Sequence, residues 1–272
     1  MSSTASLFSY SIGRKLVMAL SGLFLVSFLF VHVGGNSLLF LNDGGVAFNE
    51  FVQFMTSNPV IGVLEWVLFG GFLIHIIYGF ILTAQNRAAR PVRYAYKKNA
   101  GSTWFSRNMF LTGSILLAFL AIHITMFYGR YHFAGTESDV VETVGIQQAY
   151  DYSYKVLTPV MAGDQELLGA KSYVTLEKLQ LLKDAGKMDA QVTAISMTNV
   201  VKASFSIWYI VVFYVIAMAI LAFHLSHGFE SAFRTLGLVH KKYMPLIKGA
   251  GYFIAVVIPV LFALMPVVFF FR

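Results

Sequence analysis

The chain has 272 residues, of which 57% are hydrophobic and 12% charged, where a soluble domain carries about a quarter charged residues. Apolar runs longer than about 18 residues recur, and they are continuous rather than alternating, which indicates a helical multi-pass membrane protein and argues against a β-barrel. The absence of cysteine excludes disulfides and thiolate chemistry within the chain, and the net charge of +7 sits mostly in short connections, as in cytoplasmic loops, rather than marking a nucleic-acid binder.

The spacing predicts an all-α bundle of five transmembrane helices in a single membrane domain, over about 14–41, 59–83, 108–128, 204–228 and 249–271. The first run is too long for a signal-peptide core and lacks a small-residue cleavage site, so it is expected to be retained. Residues 42–58 read as an acidic loop, with Asp43 and Glu50 and no Lys or Arg. Pro59 suits the first turn of the second helix. The connection 85–107 is strongly basic, with Arg87, Arg90, Arg93, Lys97, Lys98 and Arg107. A long polar segment, about 129–203, follows the third span. Within it Val174–Ala185 has helical periodicity, with Leu176, Leu179 and Leu182 (or nearby Leu181) toward one face. A second basic connection, 234–248, leads to the last span, where Pro259 and Pro266 are expected to bend the helix. The basic connections place the N-terminus in the cytoplasm and the long polar segment outside.

Four histidines stand inside the apolar runs: His32, His75, His123 and His224. An ionisable side chain there is costly and marks a functional site by default. Measured from the cytoplasmic markers Arg14, Arg107, Arg87 and Arg234 at about 1.5 Å per residue, His32 lies about 27 Å deep and His123 about 24 Å. His75 lies about 18 Å deep and His224 about 15 Å. The four therefore fall into two layers about 9 Å apart, each drawing on two helices. Two histidines facing one another across a bundle can hold one haem iron from both sides, a ligation that favours electron transfer. The alternative for any one of them is a polar hydrogen bond between helices. Gly34, Gly35, Gly70, Gly71, Gly79 and Gly228 leave room for a porphyrin or simply for close helix packing. His227 competes with His224, being three residues further on nearly the same face. It could be the ligand itself, or bond a propionate or a quinone. Zinc is disfavoured, because no carboxylates or thiols accompany the histidines.

Four stretches carry a family resemblance: SIGRKLVMALSGLFLVSFLFVHVGGN at 11–36, HIIYGFILTAQNR at 75–87, SRNMFLTGSILLAFLAIH at 106–123, and the H-x-x-x-G of His224 and Gly228 followed nine residues later by Gly237. In order and spacing they resemble the single-chain, five-helix, two-haem cytochrome b subunit of succinate dehydrogenase and fumarate reductase complexes (respiratory complex II). The resemblance implies that His32 and His123 ligate an outer haem b and His75 and His224 an inner one, with His224 rather than His227 on the iron. It implies a flavoprotein with covalent FAD and an iron–sulfur protein as partners on the cytoplasmic face, and the cytoplasmic membrane of a prokaryote as the location. It implies a quinone, menaquinone in the two-haem members, as the electron partner in the membrane. Two departures stand out. The segment 129–203 is far longer than usual, and Ala222 stands where some members carry a glutamate two residues before the fourth ligand.

A quinone takes up protons with its electrons, which calls for a titratable group nearby. Glu50 and Glu65 are the candidates. Glu50 otherwise reads as a solvated acid, and Glu65, beside Trp66, as an interfacial residue. Arg14, Lys15, Ser106 and Arg107 could neutralise haem propionates, or simply flank the spans as cytoplasmic basic residues do. Electron flow could run from succinate to quinone or from quinol to fumarate. The rivals are a stand-alone two-haem carrier of the b561 kind, a haem-free anchor, and a transporter; the last would show internal repeats and broken helices, and the sequence shows no convincing repeat.

Overall fold

A computed structural model describes residues 11–89, 104–135, 139–157, 173–189 and 191–272. Arg90, Arg93, Lys97 and Lys98 of the first basic connection lie outside these. The described chain is mostly helical. Five of its helices are long and apolar enough to cross a membrane, which marks a multi-pass membrane protein. They are α1 (Ser11–Ser37), extended by a 3-10 turn at Leu38–Phe40; α3 (Pro59–Ala88); α4 (Met109–Phe133); α8 (Trp208–Thr235); and α9 (Met244–Phe271). Helix α3 starts at the proline anticipated and continues past Arg87. Helix α9 is assigned as one continuous helix through Pro259 and Pro266. Helix α4 widens to π form at Thr125–Gly129, just beyond His123.

The described residues cluster into two compact units. The first takes the chain up to His32, with Leu64–Phe119 and Tyr214–Leu264; the second takes Val33–Val63, Leu120–Phe213 and Met265–Arg272.

Among the described residues the regular structure of the first unit is all helical. Val26, Leu225, Ile254, Ala255 and Ile258 form a buried cluster, with Leu29, Leu221, Phe229 and Phe262 packed on it. Large apolar side chains such as Leu20, Leu73, Tyr252 and Phe253 are exposed instead, as expected of helix faces that lipid covers. Glycines bring the backbones close. A Cβ on Gly71 would come within 2.7 Å of the Phe24 ring, and one on Gly251 within 3.0 Å of Phe229. Such close approach replaces the hydrophobic drive that helices lack in lipid.

The second unit holds structure that the sequence reading left out. Residues 42–58 are not a loop: Val46–Ser57 forms helix α2. Its start is fixed by Asp43, whose carboxylate accepts from the backbone N–H groups of Gly45 and Ala47, both at 2.8 Å. The long polar segment contains an antiparallel sheet of β1 (Val141–Gly145), β2 (Lys155–Val156) and β3 (Gln191–Ile195), in the order β1-β3-β2. Around it lie α5 (Ile146–Asp151), α6 (Leu176–Asp184) and α7 (Met197–Phe205). Thr175 caps α6 and Ser196 caps α7, each side chain accepting a backbone N–H three residues on. Val144, Ile146, Tyr154, Val156, Leu182 and Val192 form the core of this small assembly. The anticipated amphipathic helix is thus present. Leu182 is its buried residue and Leu179 packs on the core, while Leu176 and Leu181 face outward.

Asn49 ties α2 to the rest of the second unit. It is buried and donates to the Tyr152 carbonyl at 3.0 Å and to Ser196 Oγ at 2.9 Å. Its own oxygen accepts from the Thr198 backbone N–H at 3.1 Å. Gly45, at φ +97°, lies against Thr198, where any Cβ would clash. Lys155 is also buried; its Nζ donates to the Tyr131 carbonyl at 3.2 Å and sits 4.8 Å above the Tyr131 ring.

Candidate functional site

Within the first unit α1 and α3 run antiparallel, as do α4 and α8, and the contacts of each pair follow the 3.6-residue repeat. Along α1 and α3, Phe24 meets Gly71, Ser21 and Gly22 meet His75, and Met18 meets Gly79. One turn separates each rung from the next. Ser21 Oγ lies 3.3 Å from His75 Nδ1. A Cβ on Gly22 would lie 3.2 Å from His75 Cε1, so glycine lets the ring edge rest against the α1 backbone.

The same arrangement recurs between α4 and α8. Thr112 Oγ1 lies 3.2 Å from His224 Nδ1. Gly113 faces His224 Cε1 at 3.5 Å, and Gly228 faces the Met109 methyl at 3.9 Å. Two copies of M-x-x-[ST]-G (Met18–Gly22 and Met109–Gly113) thus pack on two copies of H-x-x-x-G (His75–Gly79 and His224–Gly228). This short repeat is the signal the sequence reading missed. The glycine of each M-x-x-[ST]-G copy also precedes a further histidine by ten residues, Gly22 to His32 and Gly113 to His123.

The duplicated contacts bring His75 and His224 together, with ring centroids 6.3 Å apart and planes at 70°. A ligating imidazole nitrogen sits about 2.0–2.1 Å from its metal and roughly 1.2 Å from its own ring centroid, so two rings on opposite sides of one ion stand about 6.4 Å apart. Edge-to-face ring pairs span the same range. What such a pair does not require is a polar partner on each Nδ1, and both rings have one. Among the described residues no group of three or more His, Cys, Asp and Glu could hold a metal ion. Two imidazoles alone could serve an iron whose other four positions came from a porphyrin, whereas a bare ion would need further protein ligands.

The other candidates fall as follows. His32 lies in the first unit, its ring stacked on Phe28 at 5.2 Å and tilted against Phe262 at 5.4 Å. His123 lies in the second unit, 5.1 Å from the Phe127 ring. His227 is half-buried one turn beyond His224, followed a turn later by Glu230, which pairs with Arg234 at 2.7 Å and Lys248 at 3.7 Å. Arg14, Ser106 and Arg107 share the first unit with His75 and His224; Arg14 and Ser106 are half-buried, and Arg107 and Lys15 are exposed. Arg87 lies over the Phe110 ring at 5.1 Å. Glu65 is half-buried in the first unit beside an exposed Trp66. Glu50 belongs to the second unit. It is exposed and lines an open cavity of about 530 Å³ with Gln53, Tyr150, Asp151, Ser153 and Thr175. Comparison with family models, with curated proteins and with solved structures finds no match to this chain.

Proposed function

We propose that the chain is the membrane anchor and quinone-reactive cytochrome b subunit of a succinate:quinone oxidoreductase, with two haems b each held by two histidines. The approach of the His75 and His224 rings to 6.3 Å between centroids, each hydrogen-bonded at Nδ1 to a hydroxyl on a neighbouring helix, is the observation that carries the reading. His75 and His224 would hold the inner haem, and His32 and His123 the outer one. A bound haem supplies one-electron chemistry at iron. Held by two histidines, a haem would be suited to electron transfer rather than to oxygen chemistry. The apolar helices keep water from the pair, and the neighbouring hydroxyls hold each ring in orientation.

In this reading the dicarboxylate chemistry lies on a flavoprotein partner, and electrons reach the inner site through an iron–sulfur partner at the basic cytoplasmic face. Arg14, Ser106 and Arg107 stand ready for haem propionates. Glu65 and Glu50 are the carboxylates assigned to proton uptake by menaquinone. Of the two, the half-buried Glu65 better suits a site that must receive an apolar quinone, since Glu50 opens on a polar cavity. The same architecture serves quinol:fumarate reduction when the flow reverses.

The test is a reduced-minus-oxidised optical spectrum of the purified full chain. Two b haems per chain are expected. His75→Ala and His224→Ala should remove the same haem, and His32→Ala and His123→Ala the other. A chain without a b-type band refutes the reading. Loss of signal in His227→Ala but not in His224→Ala would move the ligand by one turn. Purification with two haems and no flavoprotein would favour a stand-alone carrier of the b561 kind.

A further inference from the structure

We propose that Ser21 and Thr112 are positioning residues that fix His75 and His224 as the Nδ1–H tautomer and thereby lower the reduction potential of a haem held between them; this rests on the two-histidine site proposed above. A hydroxyl has one proton to give and two lone pairs to accept with. Serine and threonine inside a helix commonly give that proton to a carbonyl one turn back. Ser21 does so, its Oγ donating to the Met18 carbonyl at 3.2 Å. Thr112 does the same, donating to the Met109 carbonyl at 3.1 Å, with the Asn108 carbonyl at 3.3 Å. With the proton spent, each hydroxyl oxygen can only accept from the imidazole. The contacts at 3.3 Å and 3.2 Å are therefore Nδ1–H donating to oxygen.

A neutral imidazole protonated at Nδ1 carries its free lone pair on Nε2. Both rings are then set in advance as Nε2 ligands. Gly22 and Gly113 allow this by leaving the Cε1 edge of each ring against the helix backbone. An acceptor on Nδ1–H makes the ligating nitrogen more electron-donating. Stronger donation stabilises the ferric state over the ferrous one. When iron takes up its one electron, each Nδ1 keeps its proton, because a hydroxyl accepts a hydrogen bond without taking the proton.

The test is a redox titration of the haems in the full chain, with Ser21→Ala, Thr112→Val and the double variant. The midpoint of the haem that depends on His75 and His224 should rise in each single variant and most in the double. The haem that depends on His32 should not move. Ser21→Thr and Thr112→Ser should restore the original value, because each returns an oxygen at the same turn. An unchanged midpoint in variants that keep the haem overturns this inference and leaves the two-haem reading standing. A wild-type chain without haem defeats that reading first. If Ser21→Ala sheds haem, the decision passes to the ¹⁵N resonances of His75 and His224 in the wild-type chain stripped of haem, where no iron dictates the tautomer. Protonated Nδ1 supports the inference, and protonated Nε2 overturns it.

Discussion

Gly22 holds α1 against the His75 ring so closely that a single added methyl would lie 3.2 Å from Cε1, whereas its counterpart Gly113 leaves 3.5 Å to His224. The first distance is tighter than ordinary side-chain contact and the second is ordinary contact. The two glycines should therefore respond differently to alanine. Both alanines gain helix propensity of about 1 kcal/mol. Gly113→Ala keeps its contacts, whereas Gly22→Ala must also move the ring or the helix, at a cost typical of overpacking, about 1–3 kcal/mol. Thermal unfolding in the same detergent should find Gly22→Ala the less stable of the two variants. Equal destabilisation would mean that the two histidines do not rest on these glycines as described.

Asn49 predicts where the second unit comes apart. Its removal strands the buried Thr198 N–H, which it now satisfies. A buried polar group without a partner costs about 1–3 kcal/mol. Asn49→Leu should therefore destabilise this unit by about 1–3 kcal/mol. Hydrogen exchange should accelerate in α2 and α7 together, with little change in the first unit. Acceleration confined to α2 would show that the network does not couple the two helices.

Asp43 carries a pH dependence of stated sign. The backbone N–H of Ala47 holds its carboxyl below the usual range; burial opposes this, and the N–H of Gly45 adds to the lowering. A carboxyl lowered by folding contributes stability above its unfolded pKa, near 4. That contribution is lost as pH falls through the folded value. Amide exchange at the start of α2 should thus speed up in acid, beginning below about pH 4. Asp43→Asn should flatten that acid response. A variant with the same acid slope as wild type would assign the effect to another group.

The five long helices were legible because each is an uninterrupted apolar run, and membrane insertion demands that and little else. The pairing of His75 with His224 was legible from depth alone, since helical rise converts sequence position to distance. Helix α2 was not recognised, although Phe48, Phe51, Val52 and Met55 recur at helical spacing; its acidic, turn-rich start suggested a loop. The sheet was out of reach for a different reason. Strands β1 and β3 pair Val141 with Ile195 across a long stretch of chain, and β2 is two residues long, so no local pattern announces it. Ser21 and Thr112 were missed because hydroxyls in membrane helices are common. Only their identical setting, methionine three residues before and glycine just after, distinguishes them.

The π turn at Thr125–Gly129 acts as a phase adjuster along α4. A π turn holds one residue more than an α turn, and one residue corresponds to about 100° of rotation about the axis. His123 and Tyr131 can thus each face the direction its own surroundings require, although an ideal helix would couple the two angles. Deleting Met126 should restore plain α-helix and rotate everything beyond it by about 100°. The Tyr131 carbonyl would then turn away from Lys155 Nζ, which it now accepts from at 3.2 Å, and the buried ammonium would lose that acceptor. The insertion therefore works like a splice between two helical registers. One sets the angle of a histidine, and the other anchors the sheet-bearing segment that follows.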